Sequence, residues 1–534
     1  MNAQPNDTQS EIQDQRVRRR VLVSMMFALA LVVSAVASLN IALPDIAQGS
    51  GATQTQLQWI VDGYAVVFAG LLLPAGAFGD RFGRRRALIG GLFIFGAAYG
   101  AAAFVTGPEL LVGCRACAGV GAALVMPATL SIITNAFPAA ARAKAVGTWA
   151  GVAGGGAVVG LLLSGFLVEY ASWRWVFAAN AIWALCALLI AAMWATESSD
   201  AGQAAIDPIG AMLSAGGLSA LVFATIEGPH RGWTDMLVVG GYVLGILALV
   251  GFFSWESRRA RPLLEPRVFR NRDFANGSLS ISLQFLAFYG FVFIGMQYLQ
   301  LVLGYSPVTA AFALLPMAIT LGVLSRQVAP RLMQRFGGMR VDSIGLAVAA
   351  LGCCALARLD AASSYWTVLA GLLILGTGMG LAMTPSTTAI VSALPAAKQG
   401  VASAVNDTSR EVGGAVGIAV LGSLLTAGYQ NGIDAHLKGM PPVVRTHARD
   451  SLAFVIQTAG RFGPAGQDLL HVARDSFVTG MHTAMWVGAA LLAAGAVVTY
   501  LRRELLVDGD RGRSRDETHV PSPTIVDEAT RRAS

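Results

Sequence analysis

Long apolar runs recur along almost the whole chain, and short polar segments separate them. Fourteen of these runs have the length of a membrane-spanning helix, which needs about 20 residues. A span must satisfy its own backbone hydrogen bonds, and the runs lack the alternation of barrel strands, so each is predicted to be a helix. The predicted spans are 21–44, 57–79, 87–106, 110–133, 145–168, 175–195, 208–226, 236–255, 277–303, 309–328, 341–358, 366–391, 401–425 and 477–501. The sequence therefore predicts an all-α polytopic membrane protein with 14 transmembrane helices.

The composition excludes several other classes of protein. Of the 534 residues, 55% are hydrophobic and only 13% are charged, whereas soluble domains carry about 25% charged residues. The net charge of +7 does not indicate a nucleic-acid partner, because the basic residues form short clusters between apolar runs. Since no metal-ligand cluster or nucleophile–base motif is visible, we expect no metal, no cofactor and no enzyme. The expected partners are the lipid bilayer and a small-molecule substrate, and we expect a monomer.

Arginines mark one side of the predicted spans. The N-terminal tail 1–20 and the loops after spans two, four, eight and ten are basic, whereas the short loops on the other side hold little beyond Arg174 and Arg231. Under the positive-inside rule both termini are cytoplasmic, and the protein is expected in the cytoplasmic (inner) membrane. The charged tail 502–534 is predicted to be disordered. The external segment 428–476 contains two charged, partly apolar stretches, which form either short amphipathic helices or a solvated loop.

Short motifs recur between the two halves of the chain. The segment 79–83 (GDRFG) returns at 333–337 (MQRFG), and 126–129 (MPAT) returns at 384–387 (TPST). Two parallel six-helix repeats are a transporter architecture, in which the substrate site lies at the interface of the repeats. The predicted organisation is an N-terminal six-helix bundle over 21–195, an inserted two-helix hairpin over 208–255 and a C-terminal six-helix bundle over 277–501.

Four longer segments carry a family resemblance. They are 76–86 (GAFGDRFGRRR), 58–64 (QWIVDGY), 298–307 (YLQLVLGYSP) and 406–414 (NDTSREVGG). Together they resemble the major facilitator superfamily, and within it the fourteen-helix drug:proton antiporter branch of multidrug and quaternary-ammonium efflux pumps. The resemblance covers nearly all of 21–501 and implies the major facilitator fold, with a proton gradient as the energy source.

The resemblance assigns a gating role to the loop after span two. In one conformation Asp80 would meet helix ends and arginines of the other repeat, and the neighbouring glycines allow the tight turn. The alternative is a solvated loop that only follows the positive-inside rule. The residues predicted for this gate are Gly76, Asp80, Arg81, Gly83, Arg84 and Arg85.

Ionisable side chains inside the predicted spans are the candidates for proton coupling. A charge at the centre of the membrane costs about 2.5–3.5 kcal/mol on insertion scales, which marks it as functional. Asp62 in span two either binds a proton or stays hydrated near the interface, and the family resemblance implies a role in coupling and in binding cationic substrates. Arg115 in span four needs an anion or carbonyl oxygens, which a structural role would also satisfy, and the family resemblance implies a proton relay.

A further candidate group lies in span thirteen. Asp407, Arg410 and Glu411 share one helical face, because they are spaced by three and four residues. Two carboxylates and one arginine leave one negative charge unpaired, which suits a proton or a cationic substrate. The alternative is a satisfied structural triad.

Span nine combines aromatic and amide side chains. Such a mixture can line an adaptable cavity for flat, hydrophobic compounds. In the alternative interpretation, these side chains face lipid or the protein core. The candidate substrate contacts are Gln284, Phe288, Tyr289, Gln297 and Tyr298.

Two positions depart from the pattern of the antiporter branch. Ala35 stands where the branch has an Asp in span one, and Leu161 stands where it has the Pro of the span-five signature. The expected function is proton-coupled efflux of hydrophobic or amphiphilic drugs by alternating access. Two alternatives stay open: the export of a lipid or an endogenous secondary metabolite, which the missing Asp would suit, and a non-transporting membrane sensor with the same fold.

Overall fold

The structure is a computed structural model, and it describes residues 5–199, 207–259, 262, 264–394, 399–438, 440–460 and 463–517. These residues are almost entirely helical and contain no strand. They include two π-helical turns, Tyr298–Val302 and Leu324–Val328. The helices are α1 (Pro5–Ser50), α2 (Gln54–Phe82), α3 (Arg84–Ala102), α4 (Pro108–Ala136), α5 (Ala139–Tyr170), α6 (Trp173–Trp194), α7 (Pro208–Arg231), α8 (Met236–Arg258), α9 (Arg272–Gln297), α10 (Pro307–Val323), α11 (Ala329–Phe336), α12 (Gly338–Leu356), α13 (Tyr365–Ser392), α14 (Gln399–Ile433), α15 (Pro442–Asp450), α16 (Leu452–Ala459) and α17 (Gly463–Glu517).

Twelve helices in the described part of the chain are long and apolar enough to cross a membrane. The spans predicted at 87–106 and 145–168 do not meet the same criteria. The first corresponds to α3, a helix of 19 residues that begins with the consecutive arginines 84–86, and these lower its mean hydropathy. The second corresponds to α5, in which the described apolar stretch extends only over Gly155–Tyr170. The chain is therefore an all-α, multi-pass membrane protein, with twelve spans by these criteria.

Helices extend into both predicted tails and into the segment after α14. α1 begins at Pro5, inside the predicted tail 1–20, and α17 continues to Glu517, inside the tail predicted to be disordered. Residues 518–534 lie outside the described part. The predicted external segment 428–476 contains the short helices α15 and α16. Because α16 packs on α1 and α17, the amphipathic-helix interpretation describes this segment better than a solvated loop.

The helices pack into two groups, with a helix pair beside them. In the first group α2 packs on α4, α1 on α5, and α3 on α4 and α6; in the second, α9 packs on α14, and α12 packs on α13 and α17. The pair α7–α8 stands beside both groups, because α7 packs on α2 and on α14. Small residues allow these close approaches. A Cβ atom on Gly413 of α14, for example, would overlap the carbonyl oxygen of Ser282 on α9.

Polar contacts fix the two ends of α7. At its start the carboxylate of Asp207 accepts hydrogen bonds from the N–H of Gly210 (2.9 Å), the Trp255 indole (2.7 Å) and the Arg259 guanidinium (3.2 Å). Burial alone would raise the pKa of Asp207, but these hydrogen bonds and the charge of Arg259 outweigh it and lower the pKa. Near the other end of the helix, the Trp59 indole donates to Glu227 (3.0 Å) and ties α7 to α2.

The two ends of the bundle differ in charge and in contacts. The end at which α2, α8 and α11 finish carries most of the arginines, and it is called the basic end below. At the opposite end, side chains join the first group to the second and to α16. There, Gln300 Nε2 donates to Ile41 O (3.0 Å), the N–H of Val308 to Glu169 Oε2 (2.9 Å), and Gln457 Nε2 to Gln48 O (2.9 Å).

Candidate functional site

The first group contains a buried arginine that is surrounded by oxygen acceptors and aromatic rings. Arg115 on α4 is only 2% exposed, and its Nε donates to the carbonyl oxygen of Ile60 (3.0 Å). Its Nη1 donates to the Tyr99 hydroxyl on α3, and its guanidinium carbon lies 4.3 Å from the ring centre of Tyr64 on α2. Two oxygen acceptors and an aromatic face thus hold this charge. Among the described residues, Arg115 makes no ion pair with a carboxylate.

The departure at Ala35 lies next to this arginine. The Tyr99 hydroxyl, which accepts a hydrogen bond from Arg115, lies 3.5 Å from the carbonyl oxygen of Ala35 on α1 and donates to it. The backbone of position 35 is thus linked through one hydroxyl group to a guanidinium that has no acidic partner among the described residues. With alanine there, the positive charge of Arg115 stays uncompensated within the described part of the first group.

Three charged residues of α14 lie beside aromatic side chains of α9, within the second group. Arg410 Nη1 lies 3.9 Å from Asp407 Oδ1, and its guanidinium carbon lies 4.6 Å from the ring centre of Phe285 on α9. Asp407 and Glu411 are each 8% exposed, while 22% of the Arg410 side chain is exposed. Glu411 makes no ion pair with any described residue. The structure thus retains the predicted excess of one negative charge in this group.

Three aromatic rings of α9 lie together beside Arg410. The ring centres of Phe285 and Tyr289 are 5.5 Å apart, and those of Phe288 and Tyr289 are 5.6 Å apart. Tyr289 packs directly against Gly414 of α14, where any side chain would overlap its ring. Phe288 and Tyr289 are half-buried. The predicted contacts Phe288 and Tyr289 are therefore brought together with the α14 charges.

Tyr64 connects the two clusters. Its ring packs against Arg115 of the first group, and its helix, α2, packs on α14 of the second group. The buried arginine on α4 and the unpaired carboxylate on α14 thus lie on helices that both pack on α2, at the interface between the groups. This interface, formed by α2, α4, α9 and α14, is the candidate functional site.

Asp62 occupies a different face of α2. Residues two apart on a helix point about 200° away from each other, so Asp62 points away from the side on which Tyr64 meets Arg115. Asp62 shares one face of α2 with Gln58 and Ala65, and this face contacts α7 and α14. Asp62 is fully buried, and neither of its oxygens has a hydrogen-bond partner among the described residues. The structure therefore separates Asp62 from Arg115.

The predicted gate residues make their contacts within the first group. Asp80 accepts a hydrogen bond from Arg84 Nε (2.7 Å), and Arg85 Nη2 donates to Ala192 O at the end of α6 (2.6 Å). Gly83 has a φ of +114°, which favours glycine at this turn. Arg81 is exposed, and Gly76 lies over Pro127 of α4. The resemblance implied contacts between Asp80 and the other repeat, but its described partner is Arg84.

Three predicted substrate contacts lie away from the aromatic rings. Gln284 is fully buried and donates to the hydroxyls of Ser280 and Ser386 inside the second group. Gln297 is buried and donates to its own helix, and Tyr298 donates to Asp360 O at the opposite end (2.7 Å). The structure does not bring these three side chains to the candidate site.

Sequence reasoning missed several residues of this region. Tyr64 lies in the segment that drew attention to Asp62, and its position two residues later was the available signal. Tyr99 gave no signal, since a tyrosine in an apolar helix is ordinary. Glu227 and Asp342 were visible as acidic residues inside apolar runs. Both are held by polar side chains in the structure, Glu227 by Trp59 and Arg231, and Asp342 by Ser280 and Ser386.

The sequence profile described as the Major Facilitator Superfamily matches residues 25–418. The chain belongs to this superfamily. It is therefore a membrane transporter and not an enzyme. Among its relatives is the multidrug efflux pump LfrA of Mycolicibacterium smegmatis, with 34% identity over 463 residues that cover 86% of this chain and 91% of the pump. Another is the puromycin resistance protein pur8 of Streptomyces alboniger, with 37% identity over 409 residues, 76% of this chain and 81% of that protein.

Solved structures show the same fold at lower identity. One is a bacterial homolog of the human lysosomal transporter Spinster in an inward-facing and unoccupied conformation, with a TM-score of 0.60 and 15% identity. The match covers 91% of this chain and 96% of that one. The two helix groups of this protein are thus those of the major facilitator fold.

Proposed function

We propose that this protein is a proton-coupled exporter of hydrophobic or amphiphilic drugs, working by alternating access, and that it contributes to antibiotic resistance. One observation carries the proposal: the unpaired negative charge of the α14 group lies beside aromatic rings at the interface between the two helix groups. The relatives support it, because they are named as a multidrug efflux pump and a puromycin resistance protein.

The membrane arrangement follows from the same reasoning. We propose fourteen spans, with α3 and α5 crossing the membrane beside the helices on which they pack and α7–α8 as an inserted pair. The basic end would face the cytoplasm of the inner membrane, so that both termini are cytoplasmic. The protein would act as a monomer and would use the proton gradient without a cofactor.

Charge balance suggests how a proton and a substrate compete. A buried excess carboxylate is stabilised either by a proton or by a cationic group. Glu411 lacks an ion pair and lies one turn before Gly414, against which Tyr289 packs, and flat molecules would stack on the half-buried rings of Phe288 and Tyr289. Substrate binding would release the proton from Glu411, and proton entry from the other side would release the substrate.

A second candidate function is the export of a lipid or an endogenous secondary metabolite. The absence of a carboxylate at Ala35 favours it, because the uncompensated Arg115 would tolerate neutral or anionic molecules better than dications. Transport assays with the protein in liposomes distinguish the candidate functions. Gradient-driven uptake of ethidium supports drug efflux, movement of a fluorescent phospholipid supports lipid export, and ethidium binding without any flux would indicate a sensor.

The decisive variant is Glu411→Gln, which keeps the side-chain size but removes the ionisable group. We expect gradient-driven ethidium transport to fall at least about fivefold, the lower end of typical coupling between two sites. The matched control is Asp468→Asn, because Asp468 is exposed on α17. Wild-type transport by the Glu411→Gln variant at every pH tested would overturn the proposed role of this carboxylate.

A further inference from the structure

Asp342 is a second acidic residue inside the second helix group, apart from the α14 charges. It lies one turn into α12 and is only 4% exposed. Its Oδ1 accepts hydrogen bonds from the hydroxyls of Ser280 on α9 (2.7 Å) and Ser386 on α13 (2.9 Å). Both hydroxyls also accept from Gln284, which is fully buried and whose Oε1 has no described partner. Asp342, Ser280, Ser386 and Gln284 therefore form one buried polar cluster with members from three helices.

No cationic side chain reaches this carboxyl group in the described part of the chain. α12 packs on α9, α11, α13 and α17. On α9 the nearest charged residue along the helix is Asp273, which is exposed, and Arg335 on α11 is also exposed. α13 carries no charged residue, and its tyrosine, Tyr365, lies at the opposite end. On α17 the titratable residue nearest this level with a described side chain is Tyr500, which is 45% exposed.

The packing favours a proton over a metal ion as the ligand. Ser280 and Ser386 contact one another directly, with their hydroxyl oxygens 2.9 Å apart, and both contact the carboxylate. The three oxygens thus lie in direct contact with one another and do not surround an empty space. A buried carboxylate without a countercharge is costly when ionised. Proton binding removes that cost and leaves the hydrogen bonds in place.

A path of polar residues leads from Asp342 to the α14 charges, and its step from Ser386 to Thr387 runs along the backbone of α13 without a hydrogen bond between the two side chains. Ser386 contacts Asp342, and the next residue, Thr387, contacts Asn406 on α14, with Thr387 Oγ1 3.2 Å from Asn406 Oδ1. Asn406 Nδ2 in turn lies 3.5 Å from Asp407 Oδ1. Thr387 also lines a cavity of about 470 Å³ at the basic end of α13, together with Thr388, Val391, Ser392 and Leu394. Water in this cavity would connect the path with the basic end.

We propose that Asp342 is a second proton-binding site of the transport cycle, connected to Asp407 through Ser386, Thr387 and Asn406. This inference rests on the proposed proton-coupled function, and it assigns the second site to the interior of one helix group. Because α9 carries both Ser280 and the aromatic rings, protonation of Asp342 acts on the helix that binds substrate. Asp342 binds the proton directly, and it affects the substrate only through the position of α9.

The test compares two assays on Asp342→Asn in liposomes with ethidium as the probe. Substrate exchange at equal pH on both sides needs no net proton movement, whereas uphill transport needs it. We expect exchange within about twofold of the wild type and a loss of uphill transport of at least about fivefold. The matched control, Asp273→Asn, removes an exposed carboxylate of α9 and should leave both assays unchanged.

Ser386→Ala and Ser280→Ala keep the carboxyl group and so test the inference even if Asp342→Asn fails to fold. Each removes a hydroxyl that stabilises the ionised carboxylate, so the pH dependence of uphill transport should move to higher pH. An unchanged pH dependence in both serine variants, or full uphill transport by Asp342→Asn, would overturn the inference. If the wild type itself shows no gradient-driven transport, it is the proposed function that fails.

Discussion

Arg115 and Asp62 are two buried ionisable residues whose surroundings differ. Arg115 is held by two oxygen acceptors and by the face of Tyr64. Asp62 has no hydrogen-bond partner at all among the described residues, although it is equally buried. An unsatisfied buried group opposes folding, so its presence argues for a role in function, in keeping with the trade-off between stability and activity.

Replacing Asp62 with leucine should therefore increase the stability of the folded protein but impair its transport activity. The substitution Asp62→Leu removes an unsatisfied polar group from an apolar contact between α2, α7 and α14. We expect the free energy of unfolding to rise by about 1–3 kcal/mol, the usual penalty for such a group. Thermal unfolding in detergent measures this change, and ethidium transport in liposomes should be lost.

Asp468→Leu is the matched control, because the side chain of Asp468 is exposed and its loss should change neither quantity. A lower unfolding temperature for Asp62→Leu would mean that the carboxyl group is satisfied in the folded protein. Unchanged transport would show that Asp62 has no part in the cycle.

The sequence located these ionisable residues in the membrane helices but did not predict their surroundings. Spacing placed Asp407, Arg410 and Glu411 on one face, and the structure agrees, because the positions of neighbours on one helix follow from helical geometry alone. The separation of Asp62 from Arg115 depends on which face of α2 meets α4, and no local pattern encodes that choice. The cluster around Asp342 joins residues more than 40 positions apart, so only the fold reveals it.

At the scale of elements, apolar length predicted most helices, and the differences have physical causes. The arginines of α3 lower its mean hydropathy, and α10 continues through a π-helical turn into α11, past the predicted end of its span. Helix packing depends on small residues that a hydropathy pattern does not distinguish. α14 meets α9 where Gly413 and Gly417 allow backbone contact with Ser282 and Leu286.

Gly413→Ala should separate α9 from α14 and weaken the candidate site. The added methyl group would overlap Ser282 O, so α9 must shift and carry its aromatic rings away from Arg410. Overpacking of this kind costs about 1–3 kcal/mol of stability. We expect weaker ethidium binding, measured by fluorescence titration, together with a lower unfolding temperature.

Gly322→Ala on α10 provides the matched control, because nothing lies within 4 Å of the added Cβ atom. It should bind ethidium like the wild type. Equal binding by Gly413→Ala and Gly322→Ala would show that the close approach of α9 and α14 does not shape the site.

At the scale of the whole molecule, the two helix groups touch at the opposite end. Besides the hydrogen bonds there, α5 packs on α10, and an ideal Cβ atom on Gly165 would lie 3.2 Å from the Cβ of Ala311. Alternating access requires these groups to rock against each other. In the proposed alternating-access cycle, the contact between Gly165 and Ala311 opens once in each cycle.

A disulfide across this contact should stop transport reversibly. Disulfides need Cβ atoms about 3.5–4.5 Å apart, so Gly165→Cys with Ala311→Cys should cross-link after a small adjustment, once the five native cysteines are replaced. We expect oxidation to abolish ethidium transport and dithiothreitol to restore it. Gly96→Cys with Ala184→Cys links α3 to α6 within one group at a similar distance, 3.1 Å, and should cross-link without loss of transport. Both cysteine pairs form a disulfide, but only the Gly165–Ala311 disulfide blocks movement of one helix group against the other. Full transport by the oxidised Gly165–Ala311 variant would therefore exclude that movement.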